Sequence, residues 1–172
     1  YCVPNIFQYQ RGPVVKTTRQ FDPESMDRFD YLIYCLKKEG IYIYLDLMVS
    51  RQFKSGDGVP NASELSRKAV PASLYNRTLI DLQKEYAQQF MTHVNPYTGN
   101  AYINEPAIAM MDIINESSLF CTLPLCEPYA TELRQDFRKW LDERNIEYDA
   151  ENCTLFGVDK DAPLVRYKVE KE

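Results

Sequence analysis

The sequence predicts an α/β protein built on a parallel sheet. Two observations lead there. Apolar segments of strand length alternate with longer segments whose apolar residues recur at three and four, giving the order helix, strand, helix, strand, helix. The two strand segments are also almost continuously apolar, the pattern of strands buried on both faces, which is how parallel sheets occur. Parallel neighbours need a crossover between them, and the intervening helices supply it. Doubly wound sheets and barrels both satisfy this order. The 172 residues suit a single domain, taken as 1–172, with no internal repeat and no second boundary.

Each element has a local cause. Residues 1–20 hold no sustained period and are punctuated by Pro4, Gly12 and Pro13, so they read as loop with a short strand near Asn5 to Tyr9. Asp22 is a good helix cap and Pro23 suits a first helical position. Met26, Phe29, Ile33 and Leu36 then form one stripe, with Lys37 and Lys38 in the last turn, read as a solvated helix end, and Gly40 as the stop. Ile41 to Val49 reads as a strand. Ser50 to Leu74 is polar, contains Gly56, Gly58, Pro60 and Pro71, and reads as a long functional loop following a strand end. A second helix is expected from Arg77 to His93, with Leu79, Leu82, Tyr86 and Phe90 on its inner face. Ala107 to Ile114 is the second strand, ending at Asn115-Glu116. A third helix is expected from Glu127 to Arg144, with Leu133, Phe137, Trp140 and Leu141 inward. Leu164 to Val169 alternates and reads as a strand or an unpaired end.

Composition narrows the chemistry. Hydrophobic residues make up 45% and charged residues 26%, which is ordinary for a globular chain and excludes collagen-like or low-complexity classes. A net charge of -5 argues against non-specific nucleic-acid binding. No apolar run approaches the ~20 residues of a membrane helix. A single histidine, His93, argues against His-rich metal centres and leaves one base for nucleophilic triads; its place at a helix end is explained by the dipole alone. The five cysteines leave an odd one; Cys35 reads as a small buried hydrophobe, and Cys121 and Cys126 flank a short loop. The chain opens at Tyr1 with no charged-then-apolar leader, so a removed leader or an excised piece is expected. No phosphate-binding glycine motif follows either strand.

In α/β folds the working residues sit at the carboxyl ends of strands. Those ends present Ser50-Arg51-Gln52-Phe53 and Asn115-Glu116-Ser117-Ser118. A carboxyl group at the mouth of an apolar strand is partly desolvated, which suits a general acid, and the adjacent Asn can donate to a hydroxyl. Cleavage of a glycosidic bond needs such an acid at the leaving oxygen and gains from hydrogen bonds to the sugar 2-OH. Arg51 and Phe53 are candidate substrate contacts, with a plain salt bridge an equal reading for Arg51. Phe53 and Asp57 belong to the long loop and could line a cleft, with solvated loop the default reading.

The blocks FDPESMDRFDYLIYCLKKEGIYIYLDLMVSRQF, GDGVP, LIDLQKEYAQQFMTHVNPYTG and EPAIAMMDIINESSL, spanning Phe21 to about Trp140, resemble the catalytic barrels of clan A glycoside hydrolases, cellulase-like and near family 5. The resemblance implies a partial (β/α)8 TIM barrel around the third and fourth strands. It implies O-glycosyl hydrolysis of β-linked glycans with retention, Glu116 as acid/base and Asn115 holding the sugar hydroxyl. Asn104-Glu105-Pro106 looks like the Asn-Glu-Pro of many cellulases but precedes the strand, so Glu105 is expected to be a surface residue. No carboxylate after Glu116 fits the nucleophile, and a full barrel needs ~250 residues, so the nucleophile is expected outside this chain and the isolated chain is expected to be inactive. A non-catalytic carbohydrate-binding relative is the alternative, and a structural domain with an accidental Asn-Glu is the third. The enzyme class implies an oligo- or polysaccharide substrate, no cofactor or metal, no nucleic acid, and an extracytoplasmic or secreted location.

Overall fold

The computed structural model describes residues 16–48, 51–65, 69–114 and 125–149. It is a mixed α/β fold with two strands and five α-helices among those residues: α1 Pro23–Lys38, β1 Ile43–Asp46, α2 Ala62–Leu65, α3 Ala69–Ala72, α4 Arg77–Thr92, β2 Ile108–Asp112 and α5 Tyr129–Glu143. Single 3-10 turns lie at Ser55–Asp57 and Tyr102–Asn104. The short strands expected near Asn5 to Tyr9 and Leu164 to Val169 fall outside the described residues.

The long helices begin where their caps dictate. The Asp22 side chain accepts the Ser25 amide at 3.0 Å and opens α1. The Asn76 side chain accepts the Leu79 amide at 3.0 Å and opens α4. Each such cap satisfies an amide that the helix itself leaves orphaned, worth about 1 kcal/mol. Past the end of α1, Gly40 adopts φ +69, a conformation that costs glycine nothing.

β1 and β2 pair in parallel, with Ile43 opposite Ile108, Tyr44 opposite Met110, Leu45 opposite Met111 and Asp46 opposite Asp112. A bulge between Ile43 and Tyr44 shifts the register by one. The strands are shorter than expected, and one of their two faces is open. Ile43, Leu45, Leu47, Ile108 and Met111 face a core completed by Met26, Phe29 and Ile33 of α1, Tyr86 and Phe90 of α4, and Tyr102. The opposite face carries Tyr44, 45% exposed, and Met110, 64% exposed. Continuous apolarity therefore did not mean burial on both sides along the whole strand pair: on the second face Tyr44 and Met110 stay exposed, while Asp46 is buried.

The stretch read as one long loop carries structure of its own. Ala62, Leu65, Ala69 and Ala72 recur near a helical period and bury one face of α2 and α3. They join Met48, Phe53, Val59, Leu79 and Leu82, with Tyr129, Leu133, Phe137 and Leu141 of α5, in a second core. α4 belongs to both cores, its first half to one and its second half to the other. Each large apolar side chain sealed this way contributes about 1.5–3 kcal/mol. Trp140 is only partly buried at the edge of that core, with the Arg144 guanidinium 4.4 Å from its ring.

Candidate functional site

The carboxyl ends of β1 and β2 lie side by side, as a parallel pair in register requires. In sequence, Arg51 and Phe53 follow the end of β1, and Asn115 and Glu116 follow the end of β2. Asn115 and Glu116 lie outside the described residues, and so does Cys121.

Arg51 and Phe53 are described, and both are turned inward: Arg51 is 5% exposed and Phe53 4%. The Arg51 guanidinium lies 4.7 Å from the Phe53 ring centroid and 5.7 Å from that of Tyr86. Its Nε donates to Thr18 Oγ1 at 3.0 Å, and its terminal nitrogens donate to the carbonyls of Leu82 at 2.9 Å and Thr18 at 3.3 Å. A guanidinium is the side chain suited to this task, because its planar fork serves several acceptors while its faces stack on rings. Arg51 thus ties the segment before α1 to α4.

Asp57 completes this clamp. Its carboxylate accepts from Thr17 Oγ1 at 2.7 Å, the Thr18 amide at 2.7 Å, Thr18 Oγ1 at 2.8 Å and the Lys54 amide at 2.8 Å. Burial alone would raise its pKa, but these hydrogen bonds together outweigh burial and hold it below the usual carboxylate range. Gly56 is fixed by closeness: its amide donates to Lys16 O at 2.8 Å, and a Cβ there would stand 2.2 Å from that oxygen. Asp57 therefore serves as the anchor of a loop, not as an open cleft residue.

The open face of the strand pair holds the polar groups that the sequence reading passed over. Alternation puts Tyr44 and Asp46 on one face of β1, and their partners Met110 and Asp112 on the same face of β2. The Tyr44 hydroxyl donates to Asp112 Oδ2 at 2.7 Å. That hydrogen bond first, then burial, then the charges of Asp112 and Asp46, push the Tyr44 pKa up to about 12, so the phenol keeps its proton. Asp46 is 8% exposed, and its Oδ1 is buried with no hydrogen-bond partner. Leaving a buried acceptor unserved costs about 1–3 kcal/mol, more when it is charged, so such groups are seldom retained without a role. The signal was present in the sequence: each apolar strand is interrupted by one aspartate near its carboxyl end. Among the described residues no three His, Cys, Asp or Glu side chains converge as a metal centre.

The amino end of β2 is a different environment. Glu105, expected at the surface, is 3% exposed. Lys37 Nζ lies 2.8 Å from its Oε1, Asn100 Nδ2 donates to Oε2 at 3.1 Å, and the Ala107 amide donates to Oε1 at 3.1 Å. Burial would raise its pKa, but the hydrogen bonds from Lys37, Ala107 and Asn100 outweigh burial and lower it to about 2. Lys37 likewise bonds across to Glu105 instead of only closing a solvated helix end. Nearby, His93 Nε2 sits 2.8 Å from Oδ2 of buried Asp30, which also accepts from the Tyr102 hydroxyl at 2.5 Å. His93 is thus held by a carboxylate as well as by its helix end. Its neighbour Asn95 donates to the Asp30 carbonyl at 2.9 Å. These networks join α1 to the turn before β2.

No family model, curated protein or solved structure matches this chain. No helix among the described residues is long and apolar enough to cross a membrane.

Proposed function

We propose that this chain is a sector of a (β/α)8 glycoside hydrolase that cleaves β-linked glycans with retention. Glu116 protonates the leaving glycosidic oxygen and then activates water, and Asn115 holds a sugar hydroxyl beside the reacting carbon. The observation that carries the reading is the parallel, in-register pairing of β1 and β2. Two strands with adjacent carboxyl ends, joined through α2, α3 and α4, are a repeating unit of such a barrel, and Asn115-Glu116 follows the end of β2 in sequence. The open sheet face would be the barrel interior.

In this reading Arg51 and Phe53 act as positioning residues, since both are packed inside and Arg51 is spent on Thr18 and Leu82. The nucleophile, a second carboxylate about 5–5.5 Å from Glu116, is supplied from outside these 172 residues. The substrate is an oligo- or polysaccharide, and the location that goes with it is extracytoplasmic.

The test is hydrolysis of a panel of β-linked glycans by the complete enzyme. Glu116→Gln abolishes cleavage of substrates with poor leaving groups while sparing activated aryl glycosides more, because those need no proton at the leaving oxygen. Equal rates for wild type and Glu116→Gln on natural glycans would remove the assignment.

A further inference from the structure

Asp46 and Asp112 stand directly opposite one another on neighbouring strands and on one face. Parallel strands lie about 4.8 Å apart, so two carboxylates in register are close neighbours, and like charges placed so repel. Neither forms an ion pair with a lysine or arginine among the described residues. Asp46 is more than nine-tenths buried, with Oδ1 accepting no hydrogen bond. Asp112 is fixed by the Tyr44 hydroxyl, which leaves it further acceptor capacity. Both observations, the facing charges and the unserved oxygen, ask for positive charge at the same place.

We infer that Asp46 and Asp112 bind a hard divalent cation, with Mg2+ the ion they suit best, at the carboxyl end of the strand pair. Mg2+ favours oxygen ligands, keeps several of its waters and needs only one or two carboxylates from the protein, whereas Ca2+ takes six to eight oxygens. Asp112 is only partly buried, and Tyr44 and Met110 on the same face are exposed, so solvent reaches the Asp112 side of the pair. The two carboxylates supply the charge that a divalent ion neutralises, and Tyr44 orients Asp112 as an outer-shell partner. The site does not depend on the glycosidase reading, because it uses none of the residues assigned to that chemistry.

The experiment is calorimetric titration of the full chain, stripped with chelator, with MgCl2 at fixed ionic strength, beside a CaCl2 titration. Saturable binding of one Mg2+ per chain is expected, with Ca2+ binding more weakly. Asp112→Asn weakens Mg2+ binding by more than about tenfold, and Tyr44→Phe weakens it less, as loss of an outer-shell partner does. Asp46→Asn abolishes binding and raises the melting temperature of the metal-free chain, because it removes one of two facing charges. Should Asp46→Asn not fold, the partly exposed Asp112 carries the test alone. No Mg2+ binding at millimolar concentration, or binding unchanged by Asp112→Asn, overturns the inference.

Discussion

Replacing Glu105 by Gln tests how a buried carboxylate ties the second strand to the first helix. The native carboxylate accepts from Lys37, Asn100 and the Ala107 amide, and its pKa falls from 4.5 to about 2. A depressed carboxylate stabilises the fold above its unfolded pKa and loses that contribution as pH falls through the folded value. At pH 7 the fall from 4.5 to about 2 counts in full, an upper bound of about 3 kcal/mol. At pH 3 the native group is still ionised while the unfolded one is protonated, and about 1 kcal/mol remains. Near pH 1 nothing remains. Glu105→Gln keeps the shape but gives up the charge, and it sets an amide donor against Lys37 and Asn100. Urea unfolding of wild type and variant should therefore show a gap of about 2–3 kcal/mol at pH 7, equivalent to a loss of about 4–12 °C in melting temperature. The gap should close toward about 1 kcal/mol at pH 3. A gap of equal size at both pH values would refute the electrostatic origin, and no gap at pH 7 would refute the buried pair itself.

Two further outcomes follow from the clamp around α4. Arg51→Met removes donors to Thr18 and to the Leu82 carbonyl and should cost about 2–4 kcal/mol in chemical unfolding, with Arg51→Lys recovering little because an ammonium has no planar fork to stack between Phe53 and Tyr86. Gly56→Ala drives a methyl against Lys16 O and should cost about 1–3 kcal/mol, with amide exchange accelerated at Thr18 and Gly56 more than in α5.

Much of the secondary structure was legible because its causes are local. Asp22 and Asn76 cap helices through contacts three residues away, and the stripes of α1, α4 and α5 need only a period of 3.6. The strands were found from apolar runs, but their ends were overextended, since a strand ends where its neighbour stops pairing. The segment from Ser50 to Leu74 read as loop because α2 and α3 are one turn each, too short to outweigh four Gly and Pro residues.

The candidate site divides in the same way. The sequence by itself determined the alternation of helices and strands, the positions of their caps, and the location of Asn115-Glu116 after a strand. Only the tertiary structure decided that Arg51 and Asp57 face inward, that Glu105 is buried beside Lys37, and that Asp46 and Asp112 meet on an open face. Each of those facts depends on a partner distant along the chain: Thr18 for Arg51 and Asp57, Lys37 for Glu105, and one strand's register for the other's aspartate. Periodicity reports which side of an element is apolar. It does not report which charged group waits on the element packed against it.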